Sequence, residues 1–179
     1  MFKVGDKIVY PMHGAGTIES IEEKEMFGGT SEYYIIKMPI GGMKLMVPTQ
    51  NAEEIGIREV SNATVAPSVF SVLEKPKEKY VFENNWSKRY RGNVDKIKSG
   101  DILEVADVVR DLSHRHMERG LSTAEKKMLA SAKEILVSEL SLAQGFDHEQ
   151  VEREIDDKIK FSYDLGSEAS DMLGNNVQL

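Results

Sequence analysis

Two hydrophobic patterns divide this chain of 179 residues at about residue 60. Before that point, short runs rich in β-branched and aromatic side chains alternate with glycine and proline, as at residues 7–10, 32–37, 44–48 and 56–60. Runs of this length bounded by turn residues are typical of β-strands. We therefore predict an all-β module in the first third of the chain, with a hairpin joining the runs at 32–37 and 44–48.

One run in this module departs from the expected spacing. Residues 17–23 alternate polar and apolar side chains, but Ile18 and Ile21 lie three positions apart, whereas residues on one face of a strand lie two apart. Residues 11–16, which include a proline and two glycines, supply the turn before it. The pattern therefore predicts a strand with an irregular period.

After residue 67, apolar residues recur at spacings of three and four, the period of an amphipathic helix. Gly120 is placed to end one helix, and Ser122 with Glu125 forms a capping-box pattern that opens the next. From residue 161 onwards, glycine, serine and asparagine predict a loose tail. Helices are predicted over residues 68–75, 86–100, 101–119, 122–143 and 147–160.

These patterns predict a two-domain α and β protein. Residues 1–61 would form a small SH3- or Tudor-like β-barrel or a strongly bent sheet, and residues 62–67 a linker. Residues 68–160 would form an all-α bundle of four to five helices, followed by a flexible tail at residues 161–179. A length of 179 residues is compatible with two small domains.

The net charge of −7 would argue against a nucleic-acid partner if it were evenly distributed, but it is not. Residues 75–99 carry eight cations and three acids, whereas residues 145–179 carry nine acids and three cations. A basic island and an acidic C-terminal segment are therefore separate along the chain. A solvated helix face is the alternative interpretation of either charge run.

The basic island contains the only tryptophan of the chain, within residues 84–93. Asn85 can cap a helix that begins at Trp86, and helical spacing then puts Trp86, Arg89 and Tyr90 on one surface. An apolar plate beside cations suits DNA, because cations neutralise phosphates while an apolar side chain wedges against base steps in the minor groove. The alternative is that a lone tryptophan packs in a core or between domains.

Sequence signals of catalysis, metal binding or membrane insertion are weak. The chain has no cysteine, His114 and His116 point apart on a helix, and Gly14 and Gly16 lack the third glycine of a nucleotide fingerprint. No apolar run approaches the roughly 20 residues of a membrane helix. We therefore expect a cytoplasmic binding protein rather than an enzyme, with no cofactor, metal or catalytic residue.

Several motifs resemble the CarD family of bacterial transcription regulators, in the same order and at compatible spacings. The specific ones are Asn-Trp-Ser-Lys-Arg-Tyr-Arg at residues 85–91 and Arg-Gly-Leu-Ser at residues 119–122. The resemblance extends from residue 2 to about residue 143. Shorter matching segments are residues 2–6, 9–11, 13–14, 47–48, 108–112 and 125–126.

This resemblance implies that the N-terminal barrel docks on the β subunit of RNA polymerase. It also implies that the helical domain binds promoter DNA at the upstream edge of the transcription bubble, near the −10 element. Trp86 would wedge into the minor groove and hold the promoter open, as part of a global, nucleoid-associated regulator. The residues expected to contact DNA are Trp86, Lys88, Arg89, Tyr90, Arg91, Lys126 and Lys127.

On the polymerase side, an exposed strand edge at residues 33–37 or 44–47 could pair with a strand of the partner. The family pattern has an arginine where Met46 stands, so Lys24 or Lys44 would have to supply that charge. The alternative for the tyrosines and Ile36 is barrel core, and the alternative function is a monomeric polymerase adaptor that recruits another protein instead of DNA. The candidate polymerase contacts are Lys24, Tyr33, Tyr34, Ile36, Lys44, Met46 and Pro48.

Overall fold

The computed structural model describes residues 1–26, 28–39, 41–76 and 85–174. An antiparallel sheet comes first and a set of helices follows, as the hydrophobic patterns predict. The strands are β1 (Lys7–Tyr10), β2 (Gly14–Met26), β3 (Gly29–Lys37), β4 (Lys44–Pro48) and β5 (Arg58–Glu59). The helices are α1 (Ala66–Leu73), α2 (Trp86–Ser99), α3 (Ile102–Arg119), α4 (Thr123–Gln144) and α5 (His148–Gly174).

The five strands pair in the order β4-β3-β2-β1-β5. The predicted hairpin of β3 and β4 is confirmed, with Tyr34 opposite Val47 and Ile36 opposite Leu45. Strands β4 and β5 form the two edges, and no pairing between them closes the sheet among the described residues, so the module is an open bent sheet rather than a closed barrel. Its core includes Ile8, Ile18, Tyr34, Ile36, Met38, Val47, Ala52 and Ile57.

A β-bulge explains the irregular spacing in β2. Ile18 pairs with Ile36 and Ser20 with Ile35, so Glu19 is the extra residue on the bulged strand. Beyond the bulge Ile21 pairs with Tyr34. Ile18 and Ile21, three apart on β2, therefore pair with Ile36 and Tyr34, two apart on β3. Ile18 is buried in the core of the sheet, whereas Ile21 is 38% exposed.

The helical domain is built as the apolar periodicity predicts, and side chains cap four of its helices, with Asp147 accepting from the backbone N–H of Glu149 at the start of α5. Asn85 caps α2, Asp101 caps α3, and Ser122 with Glu125 forms a complete capping box at the start of α4. Gly120 ends α3 with a φ of 77°, a backbone conformation that favours glycine. The buried apolar residues of α1, α3, α4 and α5 form one continuous core, and the one buried residue of α2, Ile97, belongs to it.

Two predicted boundaries are wrong. Helix α1 begins at Ala66, inside the predicted linker 62–67, because Ala66 is already buried in the helical core. Helix α5 continues to Gly174, so residues 161–174 are not a loose tail. Its extension is held where Ser162 is buried and its Oγ lies 2.8 Å from Nε2 of His114 on α3.

The two domains pack directly on each other through β2 and α4. The backbone N–H of Ala15 donates to Ser138 Oγ at 3.0 Å, and Ser138 in turn donates to the carbonyl of Ile135. Gly14 has a φ of 94°, and a β-carbon added there would lie 2.7 Å from Ser138 Oγ. Only glycine allows the sheet to approach the helix this closely.

A buried carboxylate completes the contact between the domains. Glu139 of α4 is 1% exposed and accepts two hydrogen bonds from Arg58 of β5, at 2.7 and 2.8 Å. It also accepts from the backbone N–H and the hydroxyl of Ser61. Arg58 donates further to the carbonyl of Gly100, which ends α2. Residues from the sheet, α2 and α4 thus meet at one charged cluster.

Candidate nucleic-acid interface

The tryptophan predicted to wedge into DNA lies on the surface. Trp86 is the first residue of α2 and is 46% exposed. Its ring stacks on Tyr90 with centroids 5.2 Å apart and planes 25° apart. Tyr90 is partly buried and packs against the helical core, so it links the exposed indole to the fold. The alternative that the lone tryptophan is sealed in a core is therefore wrong.

The asparagine before the indole fixes where the helix begins. Asn85 has extended backbone angles, and its side-chain oxygen accepts from the backbone N–H of Lys88 at 3.2 Å. A capped start keeps Trp86 on the first turn, one helical turn from Tyr90. The predicted cap at this position is confirmed, while Asn84 of the same motif lies outside the described residues.

Arg89 is placed differently from the other cations of the motif. Its side chain is 12% exposed, and Nε and Nη2 donate to Oε1 of Glu125 at 2.9 and 2.7 Å. Glu125, the third residue of α4, is 3% exposed. Its other oxygen, Oε2, accepts from the N–H and hydroxyl of Ser122 within the capping box. The expectation that Arg89 faces DNA as a phosphate contact does not fit this placement.

Glu125 is held in its charged form. Burial alone would raise the pKa of this carboxyl, but hydrogen bonds from Arg89 and from Ser122 outweigh it and lower the pKa below the ordinary value. The N-terminus of α4 also favours a negative charge at this position. The pair with Arg89 is therefore ionic at neutral pH.

The remaining cations predicted to bind DNA lie on the surface. Lys88 and Arg91 are exposed on the first two turns of α2, and Arg91 Nε donates to the carbonyl of Ser87 at 3.5 Å. Lys126 and Lys127 are exposed on the first turn of α4 and directly follow Glu125. The Arg89–Glu125 pair joins the start of α2, which carries Trp86, to the start of α4, which carries Lys126 and Lys127.

On the sheet, burial separates the predicted polymerase contacts. Tyr34 is 2% exposed and Ile36 is fully buried, so these two side chains form the core and are removed from the list of surface contacts. Tyr34 also accepts from the backbone N–H of Phe2 through its hydroxyl. Because residues 33–37 of β3 pair with both β2 and β4, the predicted edge at these residues is covered.

Of the two strands predicted to offer an edge, only β4 lies at an edge of the described sheet. Met46 is 45% exposed on it, Lys44 is exposed and paired with Glu19, and Pro48 and Tyr33 are half-buried opposite each other. Lys24 lies beyond the span of β4 on the β2–β3 hairpin and pairs with Glu22 at 2.6 Å. The edge therefore exposes a methionine where the family pattern has an arginine, with the nearby lysines held by glutamates.

Comparison with known proteins places this architecture in a family. Residues 2–61 match the family described as CarD-like/TRCF RID domain, and residues 68–156 match the family described as CarD, C-terminal domain. The chain is also 42% identical over 151 residues to a Bacillus subtilis (strain 168) protein named "Putative transcription factor YdeB". That match covers 84% of this chain and 97% of the relative. The chain belongs to the CarD family.

Membership of the CarD family confirms the prediction of a transcription regulator with a polymerase-interacting module. The protein is a transcription factor, its N-terminal module is of the type that interacts with RNA polymerase, and its relatives are regulators rather than enzymes. The family match ends at residue 156, whereas α5 runs to Gly174. The extension of this helix is therefore a feature of the chain beyond the matched CarD domains.

Sequence reasoning missed the residues that hold this CarD-family protein together. Arg58 and Glu139 lie 81 positions apart and meet only in the folded chain. The one local signal was a glutamate in the run Ile135-Leu136-Val137-Ser138-Glu139-Leu140, where the helical period already buries its neighbours. Glu125 was recognised as a helix cap, but its second partner, Arg89, was not.

Within residues 1–26, 28–39, 41–76 and 85–174, no group of three or more histidine, aspartate or glutamate residues is arranged to hold a metal ion. None of the helices there is both long enough and apolar enough to cross a membrane.

Proposed function

We propose that this CarD-family protein docks on the β subunit of RNA polymerase through its sheet and stabilises the open promoter complex through Trp86. The observation that carries the proposal is a half-exposed indole at the start of α2, stacked on Tyr90 and flanked by exposed cations. The cations would contact phosphates without reading sequence, while the indole would wedge against base steps in the minor groove. The proposed DNA contacts are Trp86, Lys88, Tyr90, Arg91, Lys126 and Lys127.

The mechanism is a shift of population between closed and open promoter. A protein that binds open DNA better than closed DNA favours opening by the difference between the two affinities. A preference of about 1.4 kcal/mol changes that equilibrium about tenfold, so one stacked aromatic contact is sufficient. Polymerase would bring the module to the promoter, so the module needs no base-reading helix of its own.

Strand β4 is the proposed site of polymerase contact. It is an edge strand whose outer backbone groups have no neighbouring strand among the described residues, and an extended segment of the β subunit would add to it by main-chain hydrogen bonds. Met46 supplies exposed apolar surface on this edge. The finer contacts, with Lys24, Tyr33, Lys44 and Pro48, belong to the same proposal.

The test is the lifetime of open promoter complexes formed by polymerase with wild-type protein or Trp86→Ala. We expect the substitution to shorten the lifetime about fivefold or more, judging from the roughly 1–3 kcal/mol that a base stacked on an aromatic ring contributes. Phe161→Ala removes an exposed aromatic ring from α5 instead and should leave the lifetime unchanged. Equal lifetimes for wild type and Trp86→Ala would overturn the wedge.

A polymerase adaptor is the second candidate, because an exposed aromatic stack would also serve as a hot spot for a protein partner. Salt dependence separates the two. Each phosphate contact steepens the fall of DNA affinity with salt by about 0.9 in a log–log plot, and a mainly apolar protein interface has no such slope. Lys126→Gln should therefore reduce the slope by about one unit if the helical domain binds DNA.

A further inference from the structure

The two ends of α2 are held to the fold in different ways. The one fully buried residue of α2 is Ile97, three turns after Trp86. Near the N-terminus, the contacts include the partial burial of Tyr90 and the pair between Arg89 and Glu125 of α4. A charged contact thus attaches the N-terminal end of α2 to the fold, and apolar burial attaches its C-terminal end.

The partners of Glu125 leave little freedom in this contact. Oε1 takes both hydrogen bonds from Arg89, and Oε2 takes both from Ser122, so each oxygen is committed to a different element. Arg115 of α3 adds a second guanidinium, with Nε 3.9 Å from Oε1. The carboxylate therefore joins α2, α3 and the start of α4 at a site that is almost closed to water.

We propose that Arg89 and Glu125 are positioning residues, which fix the direction in which Trp86 leaves the protein, and that Arg89 does not neutralise a DNA phosphate. This inference rests on the proposed function of Trp86. Moving the guanidinium to a phosphate would leave the buried carboxylate without its main partner, which is the unfavourable outcome for a buried pair. Phosphate neutralisation falls instead to the exposed cations beside the pair.

The pair also gives Lys126 and Lys127 a connection to the indole. They directly follow Glu125 in the chain, so the same first turn of α4 that holds Arg89 carries these cations. A phosphate held by the lysines and a base step held by Trp86 are therefore related by a fixed geometry. Loss of the pair should damage DNA binding although it removes no DNA contact.

The test is a double-mutant cycle with Glu125→Gln and Arg89→Lys, read out as open-complex lifetime with polymerase. Glutamine has one acceptor oxygen and can serve Ser122 or Arg89 but not both, while lysine keeps the positive charge but not the planar pair of donors. We expect each single change to shorten the lifetime about five- to tenfold, and the double change to shorten it no further, because both remove one interaction.

A phosphate contact by Arg89 predicts the opposite pattern. Arg89→Lys would then stay close to wild type, since lysine also binds phosphate, and Glu125→Gln would release a cation and lengthen the lifetime. Either result would overturn the positioning role. Glu152→Gln and Asp156→Asn make the same chemical change in the ion pairs of Lys133 between α4 and α5. Both controls should keep the wild-type lifetime; a loss in either variant equal to that in Glu125→Gln would assign the effect to general weakening of the helical domain and overturn the positioning role.

A second readout does not depend on DNA. The chain has one tryptophan, so the fluorescence and near-ultraviolet circular dichroism of the free protein report on the Trp86–Tyr90 stack against a background of tyrosines alone. Glu125→Gln and Arg89→Lys should change both signals, and the two controls should not. Unchanged spectra would refute the positioning role. Changed spectra together with a wild-type lifetime for Trp86→Ala would instead refute the proposed function while the positioning role stands.

Discussion

Two buried glutamates of α4, Glu139 and Glu125, face different parts of the molecule and hold different partners. Each holds an arginine from another element, Arg58 of β5 in the first case and Arg89 of α2 in the second. Glu139 is surrounded by backbone and hydroxyl partners in the contact between the domains. Glu125 lies where the helix begins, beside the exposed surface that carries Trp86. One carboxylate contacts the other domain, and the other contacts the helix that carries Trp86.

Glu139 and Glu125 are also connected through Arg58 and helix α2. Arg58 donates to Gly100 at the end of α2 as well as to Glu139, so it holds the C-terminal end of the helix whose start is held by Glu125. Helix α2 is therefore fixed at both ends, once from the sheet and once from α4. Contacts of Arg58 and Arg89 therefore link the N-terminal module, α4 and the helix that carries the indole.

Removing the domain contact should have the largest effect. We expect Glu139→Ala to lower the free energy of unfolding by about 3 kcal/mol, at the lower end for a broken buried pair because Arg58 keeps Gly100 and some solvent contact. Urea denaturation measures the loss. The matched control is Glu149→Ala, an exposed glutamate at the start of α5, which should change the midpoint little. Equal midpoints for the two variants would contradict a structural role for Glu139.

The same contact can be broken from the side of the sheet. Gly5 and Gly14 have nearly equal φ values, 93° and 94°, but only Gly14 faces a neighbour, Ser138 Oγ. Gly14→Ala should therefore cost about 2 kcal/mol more than Gly5→Ala in the free energy of unfolding, because it adds overpacking to the same backbone strain. Adding Ser138→Ala to Gly14→Ala should recover part of that difference. Equal costs for the two glycine variants would mean that the sheet and α4 are not in close contact.

The contact between Ser162 and His114 gives a smaller expected effect than either change in the contact between the domains. Ending the chain after Lys160 removes Ser162 and Tyr163 from His114, which is left buried without the described partners. We expect this truncation to cost about 1–2 kcal/mol in thermal or urea unfolding. Ending the chain after Ser167 keeps both residues and should cost much less. The reverse order would contradict the packed extension of α5.

The pH dependence of the stability contributed by Glu125 should be a smaller effect still. The folded-state pKa of Glu125 lies below its ordinary value of 4.5, so the pair stabilises the protein above that pH and its contribution is lost as the pH falls through the folded pKa. The stability difference between wild type and Glu125→Gln should therefore shrink below about pH 4.5. Denaturation at several pH values measures it, and a difference that stays constant would contradict an ionised pair.

The sequence was most informative where the cause of a feature is local. The Asn85 cap, the Ser122 and Glu125 capping box and the helical periods depend on neighbours in the chain, and the structure has them as predicted. The bulge at Glu19 was visible only as an irregular spacing, because its cause is the register with β3. Glycine and serine near the C-terminus suggested a loose tail, but the partner that orders Ser162 lies 48 positions away.

The candidate site shows the same division. The stretch around Trp86 was identified from composition and helical spacing, and its exposure agrees with the surface role expected of it. The partner of Arg89 was not identified, because a cation in a basic run is ordinarily solvated and its partner begins a different helix. Burial of Tyr34 and Ile36 followed from the alternation of β3, which could be read in either register until the pairing was known.

The central claim is that charged contacts on α4 hold the sheet and the indole in one fixed relation, and a spin-label distance tests it most directly. The chain has no cysteine, so Met46→Cys on β4 and Ser87→Cys beside Trp86 place two labels at exposed positions. Double electron–electron resonance should give one narrow distribution of the distance between the two labels, and this distribution should broaden when Glu139→Ala or Glu125→Gln is added. A broad distribution without these changes, or a narrow one that survives both, would contradict the account.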